Sequence, residues 1–342
     1  MTKRRDTPGD VRMLDVAAAA GVSRSTVSNV LRGREDVAED LRLRVLEHAD
    51  RLGYVYNRGA AGLRMRQSQL VGLVIPDIAN PFISEAVRGA HEVLAARGYL
   101  VATIETGDDV ERQAVVLRSL AEHRVDGFLL LPALGSVAED VLATLAGLPA
   151  VILNRDIGAA NLPYVGPDEE SVGRLGAEHL ISTHGCSSIA YFGGSPAARP
   201  RVERAHAFGR YAAGSDVDLA SSWSVPCEAS PAAAYEIARD LLVGGDVPAG
   251  VMCHSDTIAY GLLRALRASD VSSERCRVIG CDDLPDSAFW NPSLTSVSVD
   301  SSLIGRTAAN SLLRTFGHDL DLTDVPAPHL ILRESCGCPR PS

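Results

Sequence analysis

The sequence lacks the features of membrane and secreted proteins. No apolar run reaches the roughly 18 residues that a membrane-spanning helix needs. The basic residues near the N-terminus are not followed by an apolar stretch, so we expect no secretory signal. Cysteine is sparse, with 7 in 342 residues, which is too few for a disulfide framework. The odd count without an export signal predicts reduced thiols and a cytoplasmic location.

The charge of the chain is divided unevenly. Hydrophobic residues make up 46% and charged residues 22%, a balance that excludes wholesale disorder, and the length predicts two or three domains. The net charge of −10 by itself argues against a nucleic-acid partner. However, residues 1–68 carry 13 Lys+Arg and 9 Asp+Glu (net +4), while residues 69–342 carry 20 and 34 (net −14). A basic head on an acidic body is typical of an appended nucleic-acid module.

Helical periodicity in the head predicts three short helices. The first begins near Leu14 and ends at Gly21, and Ser23 caps a second helix that runs to about Leu31. The third runs from about Glu39 to Leu52. Two short helices joined by a Gly-containing turn, with a third as support, indicate a helix-turn-helix, although any small three-helix domain could show the pattern. The predicted inward positions are Leu14, Val16, Ala17 and Ala20 in the first helix, and Leu41, Val45, Leu46, Ala49 and Leu52 in the third.

The segment LDVAAAAGVSRSTVSNVLRG resembles the DNA-binding head of the LacI/GalR family of bacterial transcription regulators. The resemblance continues from Val37 through VAEDLRLRVLEHADRLGY. It implies that Arg24, Ser25 and Asn29 read bases from the second helix, whose polar side chains suit base edges. It also implies that Ser23, Thr26 and Ser28 contact phosphates.

A linker rich in small residues and arginine, VYNRGAAGLRMRQSQ, follows the head. The resemblance implies a hinge helix in which Asn57 contacts DNA and Leu63 wedges into the minor groove. Tyr56, Ala61 and Gly62 depart from the family pattern, and an ordinary flexible linker is the alternative. We therefore expect a head at residues 1–56, a hinge at 57–68 and a body at 69–342.

From residue 69 onward, short apolar runs alternate with amphipathic helical segments. This alternation predicts an α/β fold with parallel sheets, arranged as two successive doubly wound subdomains, the second starting near Glu170. A dehydrogenase, a periplasmic-type binding protein and a repressor core all fit, but no G-x-G-x-x-G supports the dehydrogenase. The predicted strands are 70–75, 99–105, 127–131, 150–154, 189–192, 250–253, 277–280, 294–299 and 330–333.

The family resemblance extends along the body through VGLVIPDIANPF, YVGPDEESVGRLGAEHLI and VIGCDDLPDSAFWNPSLTSV. It implies the fold of periplasmic sugar-binding proteins, with a small-molecule effector between the subdomains. Asp77, Asn80 and Asp256 could instead be helix caps, and Ser255, Ala207 and Glu169 depart from the family pattern. The implied effector residues are Asp77, Asn80, Phe82, Asn154, Arg155, Arg204, Ser255, Asp256 and Asp282.

Motifs for catalysis are missing: there is no G-x-S-x-G, H-E-x-x-H or P-loop, so we expect no enzyme and no cofactor. Cys336 and Cys338 form the only close thiol pair, and without a histidine nearby in the sequence they predict no metal site. The family resemblance therefore implies a homodimeric transcription regulator, most simply a repressor, that binds a pseudo-palindromic operator under control of a sugar-like effector. An exported sugar-binding protein and an architectural DNA binder with an unused cleft are the alternatives.

Overall fold

A computed structural model of the chain describes residues 11–31, 37–55, 68–321 and 324–338. The chain divides into two compact units, Met1–Ser68 and Gln69–Ser342. The hinge residues Asn57 and Leu63 lie outside the described residues. Among the residues that are described, every helix is too short or too polar to span a membrane.

Three helices pack together in the described part of the first unit: α1 (Met13–Ala20), α2 (Arg24–Leu31) and α3 (Glu39–Arg51). Gly21 ends α1 with φ 66°, a left-handed conformation that favours glycine. This turn lets α2 start after a short connection and cross back onto α1. The side chains buried between the helices are Val16, Ala17, Ala20, Val27, Val30, Val45 and Ala49.

Two leucines predicted to be in this core are exposed. The side chain of Leu14 is 58% exposed and that of Leu46 is 42% exposed. Successive helical residues are about 100° apart, so Leu14 and Val16 point to different sides of α1, and Leu46 is turned away from Val45. The inward predictions for Leu14 and Leu46 are therefore wrong.

In the second unit, the N-subdomain is built on a parallel sheet of order β2-β1-β3-β4-β5. Alternate residues of β1 face opposite sides: Val71 and Leu73 enter one buried cluster and Val74 another, as expected for a sheet covered on both faces. The strands are β1 (Leu70–Ile75), β2 (Leu100–Glu105), β3 (Gly127–Leu130), β4 (Ala150–Leu153) and β5 (Tyr164–Val165). The helices between them are α4 (Pro81–Ala96), α5 (Val110–Glu122) and α6 (Ala138–Leu145).

The C-subdomain is built on a sheet of order β11-β10-β9-β8-β6-β7, parallel except for the β10–β11 pair. The strands are β6 (Ser188–Phe192), β7 (Asp218–Leu219), β8 (Gly250–Cys253), β9 (Arg277–Asp282), β10 (Thr295–Ser298) and β11 (His329–Ile331). The helices are α7 (Glu169–Glu178), α8 (Arg199–Gly214), α9 (Pro231–Val243) and α10 (Asp256–Ala268). A π-helical segment, His179–Thr183, continues α7.

The last long helix, α11 (Ser301–Thr315), follows a strand of the C-subdomain but packs against α4 and β4 of the N-subdomain. Gly305 permits this close approach, because a Cβ at that position would collide with the carbonyl oxygen of Ala86. The two subdomains are therefore interleaved along the chain, and the expectation of two simply successive blocks is wrong.

Candidate functional site

The second helix of the head begins at a hydrogen-bonded cap. The hydroxyl of Ser23 accepts a hydrogen bond from the backbone N–H of Thr26 at 3.1 Å. Its oxygen also lies 2.7 Å from the Ser25 hydroxyl and 2.8 Å from that of Thr26. A serine hydroxyl can accept this bond and still act as a donor, so the cap leaves a cluster of hydroxyls at the start of α2.

The outer face of α2 carries the polar residues singled out in the sequence. Arg24 and Ser25 are exposed, and Ser28 and Asn29 are half-buried. Val27 and Val30 are buried against α1 and α3. The apolar face thus holds the helix in the head and leaves the polar face open to a partner.

A cleft of about 1120 Å³ separates the N- and C-subdomains. It lies beyond the carboxyl ends of parallel strands from both sheets, where ligands bind in folds of this type. Asp77 follows β1, Asn154 follows β4, His254 follows β8 and Asp282 ends β9. Eight of the nine predicted effector residues line this cleft: Asp77, Asn80, Phe82, Asn154, Arg155, Arg204, Ser255 and Asp282.

On the N-subdomain wall, the loop after β1 is held by its own polar side chains. Asp77 Oδ1 accepts a hydrogen bond from the N–H of Ala79 at 2.8 Å, and Asn80 Oδ1 caps α4 by accepting from the N–H of Phe82 at 3.0 Å. Phe82 lines the cleft although it is almost fully buried. These two polar residues therefore shape the loop, and each keeps lone pairs that can accept from a ligand.

Asn154 and Arg155 occupy the next strand end. Asn154 adopts φ 56°, and its buried Oδ1 has no hydrogen-bond partner. Arg155 is committed to a bidentate pair with Asp108, one bond of which measures 3.2 Å, and also donates to the carbonyl of Pro132 at 3.0 Å. Asn154 thus presents an unused acceptor, whereas the charge of Arg155 is already neutralised.

On the C-subdomain wall, Arg204 is 3% exposed and forms an ion pair with Glu169. Its second nitrogen donates to the carbonyl of His254 at 3.0 Å. Burial raises the pKa of the Glu169 carboxyl, and Arg204 opposes this rise. Glu169, which departs from the family pattern, therefore supplies a buried carboxylate beneath the cleft. This carboxylate neutralises the charge of Arg204.

His254 is a neutral imidazole in the same wall. Its Nδ1 lies 2.8 Å from the Tyr191 hydroxyl. Burial, followed by the positive charges of Arg204, Arg201 and Arg155, lowers the pKa of His254 well below its ordinary value. This histidine can therefore exchange hydrogen bonds with a ligand without contributing a charge.

Asp256 does not line the cleft, so its predicted place among the effector residues is wrong. Its side chain is fully buried and accepts hydrogen bonds from the N–H of Leu284 (2.8 Å) and from the hydroxyls of Ser287 and Ser296 (both 2.6 Å). Ser255, its neighbour, does face the cleft and caps α10. Asp256 thus joins α10 to the segments around β9 and β10.

Asp256 makes stability depend on pH. Burial raises its pKa from the ordinary 3.8 to about 7, and hydrogen bonds from Ser287 and Ser296 oppose this. Because the folded pKa exceeds the unfolded one, the stability linked to this proton is fully present below about pH 4 and is lost as the pH rises toward 7. We expect Asp256→Asn to remove this slope, at most about 1.4 kcal/mol per pH unit, in urea denaturation between pH 4 and 7. An equal dependence of the unfolding free energy on pH in Asp256→Asn and the parent chain would show that Asp256 is not the titrating group. The control is Asp246→Asn, at an exposed aspartate, which should leave the pH dependence unchanged.

Sequence reasoning missed several polar residues of the cleft. Three carry carboxylates, and they come from loops or strand ends with no helical periodicity, so no pattern marked them. The Asp108 carboxylate accepts hydrogen bonds from the backbone N–H of Leu134 and from the guanidinium group of Arg155. These two contacts hold Asp108 at the cleft. The missed polar residues are Glu105, Asp108, Ser195, Glu228 and Ser230.

Comparison with known proteins identifies this architecture. The lacI family of bacterial regulatory proteins matches residues 12–57, and a periplasmic binding protein domain matches residues 71–313. The maltose regulon regulatory protein MalI of Escherichia coli K12 is 30% identical over 325 residues, which cover 92% of this chain and 94% of MalI. The chain belongs to the lacI family. As a lacI-family protein it is a DNA-binding transcription regulator, and its relatives are regulators rather than enzymes.

Solved structures of lacI-family proteins share the fold. The Lac repressor dimer bound to operator and the anti-inducer ONPF superposes with a TM-score of 0.82 at 25% identity, covering 95% of this chain and 99% of that chain. The regulator CelR in complex with cellobiose has a TM-score of 0.66 at 30% identity, with the same coverage. The predicted fold class and the predicted class of function are both confirmed.

Proposed function

We propose that this lacI-family protein is a cytoplasmic homodimeric repressor that binds a pseudo-palindromic operator, with its affinity set by a neutral, sugar-like effector in the cleft. The observation that carries the proposal is the pairing of a helix-turn-helix head with a polar cleft between two α/β subdomains. The Lac repressor, which shares this architecture over nearly its whole length, was solved as a dimer on its operator. Two identical heads suit the two half-sites of a palindrome.

In the head, we assign the roles by chemistry and exposure. Arg24, Ser25 and Asn29 read bases, since they lie on the open face of α2. The hydroxyls of Ser23, Thr26 and Ser28 position the helix on phosphates. Asn57 and Leu63 contribute hinge contacts within residues 57–68, between the head (1–56) and the body (69–342).

The charges in the cleft favour an uncharged effector rich in hydroxyl groups. Both arginines that line it are paired with carboxylates, Arg155 with Asp108 and Arg204 with Glu169. An anionic ligand would have to displace these pairs and approach the remaining carboxylates. Hydroxyl groups, by contrast, donate well to carboxylates and to the free Asn154 Oδ1. The acidic residues that line the cleft outside these pairs are Asp77, Glu105 and Glu228, together with Asp282, whose pKa burial raises well above its ordinary value.

Coupling between cleft and DNA follows from relative motion of the two subdomains. A ligand that contacts both walls favours one degree of closure and so shifts the population that binds the operator. Coupling free energies of this kind are about 1–3 kcal/mol, or about 5–150-fold in operator affinity.

The test starts with operator selection from random DNA and a thermal-shift screen of neutral sugars, nucleosides and sugar phosphates. We expect neutral sugars to raise the Tm of the full chain and sugar phosphates not to. Asn154→Gly, which keeps the positive φ but removes the amide, should reduce the ligand-induced shift. The control is Asn161→Gly, an exposed asparagine outside the cleft, which should leave the shift unchanged.

Three results would count against the proposal. Hits restricted to phosphorylated compounds would contradict a neutral effector. A ligand-induced shift unchanged by Asn154→Gly would remove Asn154 from the site. A ligand that binds the cleft but leaves operator affinity unchanged would favour an architectural DNA binder with an uncoupled cleft.

A further inference from the structure

Four potential metal ligands meet on the C-subdomain, and none of them lines the effector cleft. They are His179 and His184, at the end of α7, and Cys336 and Cys338, near the C-terminus. One nitrogen or sulfur from each lies within 4.8 Å of all the others. The sequence predicted no metal site because no histidine stands near the thiol pair in the chain. The fold supplies both histidines from a distant segment, with His179 and Cys336 157 residues apart.

Three nitrogen–sulfur separations in the cluster match those of a tetrahedral metal site. The two Nε2 atoms of the histidines are 3.1 Å apart, and His179 Nε2 is 3.4 Å from Cys336 Sγ. Cys338 Sγ lies 3.7 Å from His179 Nε2 and 3.4 Å from His184 Nε2. Zinc bond lengths of about 2.0–2.1 Å to nitrogen and 2.3 Å to sulfur, combined with tetrahedral angles, give ligand separations of about 3.3–3.8 Å. The three nitrogen–sulfur separations lie in this range, whereas the two histidine nitrogens are closer than it and the four atoms spread over as much as 4.8 Å. Binding therefore requires small side-chain adjustments.

Local backbone geometry brings each pair of ligands to one side. The segment His179–Thr183 is π-helical, and the wider turn places residues five apart, such as His179 and His184, on the same face. The two cysteines are separated by Gly337, whose φ of 83° turns the chain back on itself. The π-helical segment thus brings the two histidines together, and the turn at Gly337 brings the two cysteines together. The two pairs lie next to each other in the fold.

Two polar side chains pack against the Cys-Gly-Cys turn. The Thr295 hydroxyl lies 3.0 Å from the carbonyl oxygen of Arg333 and 3.1 Å from Cys336 Sγ, so its proton can be donated to either. The buried Nε of Arg277 has no hydrogen-bond partner and lies beside the Cys-Gly-Cys turn, 3.8 Å from where a Cβ on Gly337 would stand.

We propose that His179, His184, Cys336 and Cys338 bind one Zn²⁺ ion in a structural Cys₂His₂ site. All four tetrahedral positions are filled by protein, which is the arrangement of structural rather than catalytic zinc. On binding, the two thiols lose their protons to solvent, and the two thiolates balance the charge of the ion. The metal cross-links the C-terminal segment to the end of α7, joining parts of the chain 157 residues apart.

The test uses the full chain, loaded with Zn²⁺ and then dialysed against metal-free buffer. We expect one zinc per chain by elemental analysis, and a lower Tm after a chelator removes it. Substitution with Co²⁺ should give the visible absorption of a tetrahedral site together with thiolate-to-metal charge transfer. Both observations report on the metal and do not require operator binding.

Two half-buried ligands supply the variants that are safest for folding, Cys338→Ser and His184→Gln. Loss of a residue that only hydrogen-bonds a metal ligand weakens metal binding by roughly 10–100-fold. Loss of a ligand itself should weaken Zn²⁺ binding by more than this, and in each variant the chelator should no longer change the Tm. Cys276→Ala, a buried cysteine outside the cluster, should retain zinc.

Circular dichroism confirms that each variant is folded before its metal content is compared. A folded parent chain that retains no zinc would overturn the proposal. Equal zinc content in Cys338→Ser, His184→Gln and Cys276→Ala would also overturn it. So would mass spectrometry that finds a Cys336–Cys338 disulfide and no metal in protein kept under reducing conditions.

Discussion

We expect Arg204→Met to lower the free energy of unfolding by about 3–5 kcal/mol, because it leaves the Glu169 carboxylate buried without its partner. Methionine fills the volume of the arginine stem but cannot donate to Glu169 or to the carbonyl of His254. Urea denaturation of the ligand-free protein at neutral pH measures the loss.

The double variant Glu169→Gln/Arg204→Met distinguishes the lost ion pair from lost packing. It should recover a large part of the stability, because neither a charge nor an unpaired carboxylate remains buried. Arg239→Met breaks the exposed pair with Glu236 and should cost no more than about 1 kcal/mol. If Arg204→Met lowers the free energy of unfolding no more than Arg239→Met does, the buried Arg204–Glu169 pair does not stabilise the wall of the cleft.

The pH dependence of this variant has a definite sign. Burial already raises the pKa of Glu169, and the loss of Arg204 must raise it further. A folded pKa above the unfolded value means that stability increases as the pH falls through the folded pKa. The difference in unfolding free energy between the parent chain and Arg204→Met should therefore become smaller as the pH falls. A difference that grows on acidification would contradict the burial of an ionised carboxylate.

The second large effect concerns the head. We expect Arg24→Ala to weaken binding to the selected operator by about 1–3 kcal/mol per half-site and to relax the preference at one base position. Arg24 is the first residue of α2 and is exposed, so its loss leaves the buried core of Val27 and Val30 intact. Binding titrations against every single-base variant of the half-site, at one fixed salt concentration, provide the measurement.

An exposed arginine on α3, Arg51, supplies the matched control, since it carries the same charge within the head. Arg51→Ala should leave base preferences unchanged and lower affinity equally for all sequences, if it lowers it at all. A base-preference profile that is identical for Arg24→Ala and the parent chain would exclude Arg24 from base readout.

Local sequence patterns located most of the elements that position the two sites. β1 (Leu70–Ile75) and β8 (Gly250–Cys253) were predicted to the residue, because each is a short apolar run bounded by polar or turn residues. The helices α8, α9 and α11 were not predicted. α11 packs through glycine and other small residues, such as Gly305 and Ala308, which give a weak apolar stripe.

Side-chain roles were harder to predict than elements, and Asp256 and Ser255 show why. Both stand shortly after β8, and the sequence assigned both to the cleft. Whether such a residue faces the ligand depends on partners from distant segments, here the hydroxyls of Ser287 and Ser296 that turn Asp256 into the core. Arg155 and Arg204 lie at the cleft as predicted, but their pairing with Asp108 and Glu169 changes the charge available to a ligand.

The sequence by itself determined a head of three short helices, the alternating α/β body and the division of charge between them, while the resemblance to the LacI/GalR family made the head a helix-turn-helix. These depend on periodicity and composition, which are local properties of the chain. Only the tertiary structure decided that α11 returns to the N-subdomain, that both cleft arginines are neutralised, and that two histidines meet Cys336 and Cys338. These depend on contacts between residues far apart in the chain, and such contacts leave no periodic trace because the intervening residues fold into other elements.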